Sequence, residues 1–162
     1  IIPLCITQRG LPLDIVYREP NNPLVKWLFK LGRSSTGGKL IPKGPKGVPA
    51  ILKSIKLKRH VGMLVDQKMN DGIKTNFFKK KVKSPSAIAK FAIKYRCPII
   101  PAVCIRERST RFRISYLDPI TPLQIKKIGD EVQIMNHLNN YVEKWIKKNP
   151  EQWIWFHNRW ND

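Results

Sequence analysis

Apolar residues recur along this chain in two rhythms, every third or fourth position in some stretches and every second in others, and the two kinds of stretch alternate. Residues 1–9 are mostly apolar and stop at Gly10, as a helix does, and residues 12–18 alternate in the manner of a strand. Asn21-Asn22-Pro23 offers a cap with proline in the first turn, ahead of Leu24, Trp27, Leu28 and Leu31 at helical spacing, until Gly37-Gly38 breaks the run. Residues 39–42 read as a short strand, and Val48, Ile51, Leu52 and Ile55 share one face of a helix over 47–58. An apolar strand from His60 to Val65 then opens abruptly into Asp66-Gln67, followed by a turn at Asn70-Asp71-Gly72. This strand is expected at the centre of the sheet, with Asp66 at the carboxyl end, where ligands of open α/β sheets bind.

Residues 74–83 form a basic loop or short strand holding Phe77-Phe78 and Lys79-Lys80-Lys81. Ser84-Pro85-Ser86 starts a helix whose expected buried face is Ile88, Phe91, Ala92 and Tyr95. Two strands follow, over 98–105 and 111–117, the second alternating charged and apolar residues. The clearest helix spans 129–148, with Val132, Met135, Leu138, Val142 and Trp145 as its stripe and lysines near its end, where the helix dipole favours them. Asn149-Pro150 ends or kinks it. Strands alternating with helices of this size imply an α/β fold, a mixed sheet with flanking helices in one domain over 1–162.

Charge narrows the partners. The chain of 162 residues carries a net charge of +20 with 42% apolar residues, so it has enough apolar material for a core and an anionic partner to find. Nucleic acid, lipid phosphate and an acidic protein all satisfy that requirement. The apolar runs are far shorter than the roughly 20 residues that span a bilayer. Cys5, Cys97 and Cys104 have neither the spacing of a zinc site nor the even count of a disulfide framework. No cofactor is called for.

From Pro20 through Arg106 twenty Lys or Arg residues face two carboxylates, Asp66 and Asp71. Asp71 reads as a turn residue. Asp66, ionised and ringed by cations, reads as an orienter of Arg or Lys side chains, and Arg18, at the end of a strand, as an anion-binding residue. The histidines read blandly: His60 beside Arg59 as a surface residue, His137 as the solvent face of the long helix, His157 as a structural hydrogen-bonder among aromatics. No local spacing pairs a histidine convincingly with an orienting acid, and Gly44-Pro45-Lys46-Gly47 lacks the pattern of a phosphate-binding loop.

Five phrases converge in order and spacing: Val16-Tyr17-Arg18 with Asn21-Asn22-Pro23; Leu64-Val65-Asp66-Gln67; Phe77-Phe78; Pro98-Ile99-Ile100-Pro101; and the motif running from Pro150 through Trp153 and Trp155 to His157. Together they resemble the lauroyl/myristoyl acyltransferases of lipid A biosynthesis, within the glycerolipid acyltransferase superfamily, over essentially the whole chain. The resemblance implies a glycerolipid acyltransferase-like fold truncated at the amino terminus. It implies transfer of a fatty acyl chain from acyl carrier protein to a lipid A precursor, at the cytoplasmic face of the cell inner membrane. The partners it implies are that carrier protein, the lipid A precursor and the anionic membrane surface, with no specific nucleic acid. It places Arg18, Asn22, Asp66, Gln67, Phe77 and Phe78 among substrate-binding or site-organising residues and assigns none of them a catalytic role.

Two departures stand out. The family's catalytic His-x-x-x-x-Glu/Asp motif is expected immediately before the helix that Ile1 begins, so this chain is expected to be inactive alone. Phe77-Phe78 is usually followed by Gly, whereas Lys79 stands here, which disfavours the turn. A basic nucleic-acid-binding domain and a non-catalytic membrane-surface or carrier-protein-binding module are the alternative readings.

Overall fold

A computed structural model describes residues 2–11, 13–34, 38–155 and 158–160. Their contacts fall into two compact units, Ile1–Leu64 and Val65–Asp162. The α/β class expected from the sequence is present. Instead of one mixed sheet, however, the described strands form three small sheets.

The first unit contains α1 (Ile2–Gln8), β1 (Leu13–Tyr17), α2 (Pro23–Ser34), β2 (Leu40–Pro42), α3 (Val48–Lys56) and β3 (His60–Gly62). Its strands pair in parallel in the order β2-β1-β3, with Ile15 opposite Leu40 and Leu13 opposite His60. The strand expected through Val65 therefore ends at Gly62, and β1 is central in its place. The reason is Asp14, a fully buried residue of β1. Its Oδ1 accepts from the Lys39 backbone N–H at 2.8 Å and from Arg59 Nη2 at 2.7 Å; its Oδ2 accepts from Ser54 Oγ at 2.6 Å and Arg59 Nε at 2.9 Å. One carboxylate thus ties β1 to the entry of β2, to α3 and to the entry of β3. The Arg59 hydrogen bond, helped by Ser54 and Lys39 and opposed by burial, holds the Asp14 carboxyl well below the usual carboxylate range.

The second unit contains β4 (Ile73–Phe77), β5 (Lys80–Ser84), α4 (Ala87–Tyr95), β6 (Ala102–Arg108), β7 (Arg111–Tyr116), α5 (Pro122–Ile128) and α6 (Glu131–Lys148). The basic segment at 74–83 is an antiparallel hairpin, Phe77 pairing with Lys80 around the two-residue turn Phe78-Lys79. Both turn residues have positive φ, 47° and 62°, the conformation that a tight hairpin of this length demands. Strands β6 and β7 form a second antiparallel hairpin. Helix α5, with no counterpart among the expected elements, begins with a reciprocal cap. Gln124 N–H donates to Thr121 Oγ1 and Thr121 N–H to Gln124 Oε1. Asp130 and Gln133 repeat the device at α6.

Helix α6 buries Ile134, Met135, Leu138, Asn139, Val142 and Ile146, an arc rotated from the expected stripe. Val132 stays exposed. The arc is wide because α6 serves two apolar clusters. Ile134, Met135 and Leu138 pack with Ala89, Ala92, Ile99, Ile120 and Ile125, while Val142 and Ile146 pack with Phe77 and Val82. On α4 the fully buried residues are Ala89 and Ala92, and the larger Ile88, Phe91 and Tyr95 are half-buried. Among the described residues no helix is long and apolar enough to cross a membrane.

Candidate functional site

In the first unit β1 and β2 end side by side, and a helix follows each of them. Arg18 follows β1 directly and is exposed. The Lys43 backbone N–H donates to the Tyr17 carbonyl at 2.8 Å, so the ends of β1 and β2 emerge side by side with Arg18 and Lys43 next to each other. Lys46 follows in the single 3-10 turn Pro45–Gly47 that leads into α3. Asn22 caps α2: its Oδ1 accepts from the Leu24 N–H at 2.9 Å, and its carbonyl accepts from Lys26 N–H. Asn22 is therefore engaged with the helix backbone.

The unit has two acids, and both are occupied. Asp14 is buried against Arg59, and Glu19 pairs with Lys26. No hydrogen bond or ion pair ties Arg18 to another described residue. An exposed guanidinium beside an exposed lysine, at the carboxyl ends of parallel strands, is an arrangement for holding an anion such as a phosphate.

In the second unit two of the predicted residues, Asp66 and Phe77, lie near a charge that the sequence reading did not single out. Arg159 is 1% exposed. Its Nη2 donates to Asn139 Oδ1 at 2.8 Å and Ser84 Oγ at 3.0 Å, and more weakly to the Val65 carbonyl at 3.5 Å. The guanidinium carbon lies 4.0 Å from the Phe77 ring centre. Asn139 in turn donates to Thr75 Oγ1 and to the Asn76 carbonyl, and Thr75 Oγ1 shares a 2.7 Å hydrogen bond with Ser84 Oγ. The β4-β5 hairpin, α6 and the chain end are joined by this polar network.

Burial pushes the Arg159 guanidinium down to about 10, while Asp66 and Glu143 pull it back up, so it stays charged at neutral pH. Its Nε and Nη1 find no acceptor, and the buried Oδ1 of Asp66 finds no donor. Orphaned donors and an orphaned acceptor in one charged neighbourhood are costly to keep, and this neighbourhood includes the Asp66-Gln67 segment. Asp66 is half-buried and Gln67 exposed. The turn at 70–72 is present, with Gly72 N–H donating to the Met69 carbonyl at 2.8 Å. A Cβ at Gly72 would stand 2.4 Å from the Ser84 carbonyl oxygen, so this close approach requires glycine.

Phe77 and Phe78 divide. Phe77 is wholly buried, stacked on Trp160 at 5.7 Å and tilted against Trp153 at 6.1 Å. Trp160 Nε1 donates to the Phe77 carbonyl at 3.3 Å. Phe78 is half-buried at the hairpin turn, its N–H donating to Glu143 Oε1 at 2.7 Å and its ring 5.7 Å from Lys147 Nζ. Phe77 organises the interior. Of the two, Phe78 is the one with surface to offer a ligand.

His60 is exposed, as expected. His137, expected to face solvent, is half-buried with its ring edge-on to Tyr141 at 5.1 Å. One His-x-x-x-x-Asp spacing does occur, from His157 to Asp162, at the far end of the chain from where the resemblance expects the motif; both residues lie outside those described. Among the described residues no group of His, Cys, Asp and Glu gathers that could hold a metal ion. An open groove of about 610 Å³ runs between the β6-β7 hairpin and Gln152, lined by Cys104, Arg106, Arg108 and Phe112, and holds none of the residues above.

Missed by the sequence reading were Arg159, Lys43 and Asp14. For Arg159 a signal existed, since it stands two positions past the aromatic motif that ends at His157. For Asp14 there was none, because its partners are 25 to 45 positions away.

Comparison with known proteins gives these residues a family. The chain is 23% identical over 154 residues to the lipid A biosynthesis acyltransferase of Haemophilus influenzae, covering 94% of this chain and 47% of that protein. It therefore spans about half the length of the curated relative it matches. The family model for bacterial lipid A biosynthesis acyltransferases matches residues 2–162. The chain belongs to the bacterial lipid A biosynthesis acyltransferase family.

Proposed function

We propose that this chain provides the acceptor-binding and site-organising portion of an enzyme with a glycerolipid acyltransferase-like fold. The enzyme moves a fatty acyl chain from acyl carrier protein to a lipid A precursor, at the cytoplasmic face of the inner membrane. Arg18 carries this reading. It is exposed beside Lys43 at the end of a parallel strand, with no described partner, and the acceptor is a phosphorylated saccharolipid whose phosphate a guanidinium grips with two parallel hydrogen bonds. The acidic carrier protein is drawn by the net charge of +20.

Transfer requires a general base to take the proton of the acceptor hydroxyl as its oxygen attacks the thioester carbonyl and the carrier thiol leaves. In this reading the base is the histidine of the family motif, on a segment preceding residue 1, so the chain alone is inactive. The test is acyl transfer by the chain joined to a segment carrying that motif. Arg18→Gln is expected to lower kcat/KM by about ten- to a hundredfold, the worth of one or two hydrogen bonds to a charged group, through KM for the phosphorylated acceptor. An acceptor lacking the phosphate should be indifferent to the substitution. Equal rates for Arg18→Gln and the parent on the phosphorylated acceptor would overturn the assignment, as would transfer by the chain alone.

A further inference from the structure

Helix α2 presents Leu24, Trp27, Leu28 and Leu31 to solvent, 71%, 58%, 57% and 52% exposed. They stand at positions i, i+3, i+4 and i+7, the stripe by which a helix attaches to a core. Helix α3 of the same unit shows the usual arrangement, with Ile51 on its face 4% exposed. We propose that α2 lies in the surface of an anionic lipid membrane, its apolar stripe among the acyl chains near the headgroups and its axis along the membrane plane.

Charge selects this occupant over a second copy of this chain. The 64 residues of the first unit carry twelve Lys and Arg and two acids, and both acids are already paired, Asp14 with Arg59 and Glu19 with Lys26. The sequence of α2 itself interposes Lys26, Lys30 and Arg33 among the apolar positions and contains no acid. A second copy of this chain would bring the same uncompensated charge and be repelled. Anionic headgroups attract it instead. A short helix whose sequence sets leucines and a tryptophan at helical spacing among basic residues has the composition of a segment that rests in the interface. Twelve residues make about 18 Å of helix, too short to cross.

The proposal rests on the reading that the acceptor is a lipid, and it deepens that reading. Helix α2 starts at Pro23, five positions after Arg18, with Asn22 as its cap. Seating α2 in the interface sets Arg18 and Lys43 near headgroup level, where the phosphate of a lipid lies. The helix then positions the anion-binding strand ends against their substrate without drawing the lipid into water.

The test is co-sedimentation of the chain with vesicles of phosphatidylethanolamine and phosphatidylglycerol at 3:1, lacking any acceptor or acyl donor. The chain should bind, and the double variant Leu24→Lys/Leu28→Lys should bind at least tenfold more weakly although it has gained two positive charges. The substituted positions are exposed, so its circular dichroism should match the parent; Trp27→Lys provides a second reading should the double variant misfold. Binding by the folded variants as tight as the parent's, or tighter, would mean adsorption by charge alone and overturn the proposal. A parent chain that dimerises in dilute buffer, with monomeric variants, would overturn it too, showing that a second copy covers the stripe. Because the vesicles contain no substrate, failure here leaves the acyl-transfer reading standing, and failure of the Arg18→Gln test leaves this one standing.

Discussion

The two units are held together by different physics. The first has a three-stranded parallel sheet centred on one buried carboxylate, and one of its helices turns its apolar arc outward. The second has two apolar clusters, reciprocal caps at consecutive helices, and a buried network in which a single guanidinium is shared among neutral acceptors. The first unit therefore depends on a charge that titrates in acid, the second on packing that does not. A unit with little core of its own and an exposed apolar helix is suited to lie against something else. A unit with two closed clusters is suited to hold a site in place.

The largest effect expected is in the second unit. Phe77→Ala removes a fully buried ring that stacks on Trp160 and faces Arg159, and should cost about 3–5 kcal/mol. Hydrogen exchange should show the loss across β4, β5 and α6, with β1 to β3 little changed. Equal loss of protection in both units would mean that they do not unfold independently, and the contrast would fail.

Asp14 gives the converse. Its folded carboxyl is held below the ordinary value of about 3.9, so its contribution is fully present above that pH and is lost as the pH falls from about 4 toward the folded value. Protection of β1 to β3 should fall in that window while protection in the second unit persists. Asp14→Asn should cost about 2–4 kcal/mol at neutral pH by leaving Arg59 without its counter-charge, and should remove much of the acid dependence. An unchanged acid profile in that variant would show that another group is titrating.

The smallest effect expected is a gain. Lys79 occupies a left-handed turn position at φ 62°, a conformation that glycine adopts without steric cost. Lys79→Gly should stabilise the hairpin by about 1 kcal/mol, read from the melting of the second unit. A destabilised variant would mean that the lysine side chain contributes more than the strain removes.

Much of the secondary structure was legible because it is written in short-range pattern. The cap at Asn22, the break at Gly10 and the alternation over 111–117 each act within a few residues. Thr121 and Gln124 carried the same kind of signal for α5, at a spacing that was there to be read. The hairpin over 73–84 was harder, since Phe78-Lys79 lacks the Asn-Gly or Asp-Gly that usually announces such a turn. The face of α6 was misjudged for another reason. Asn139 is polar and yet fully buried, because Thr75, Asn76 and Arg159 satisfy it from elsewhere in the fold.

Residue order alone settled the alternation of helices and strands, the excess of positive charge, and the family phrases from Arg18 to His157, all of which are local or additive properties. Tertiary structure alone decided that β1 is the central strand, that Arg159 is buried over Phe77, that Phe77 is interior while Phe78 is at a turn, and that α2 turns its leucines outward. The physical reason is the same in each case. Burial and ion pairing depend on which groups meet across 20 to 94 positions of chain, and a sequence pattern that repeats every two to four residues has no access to those distances.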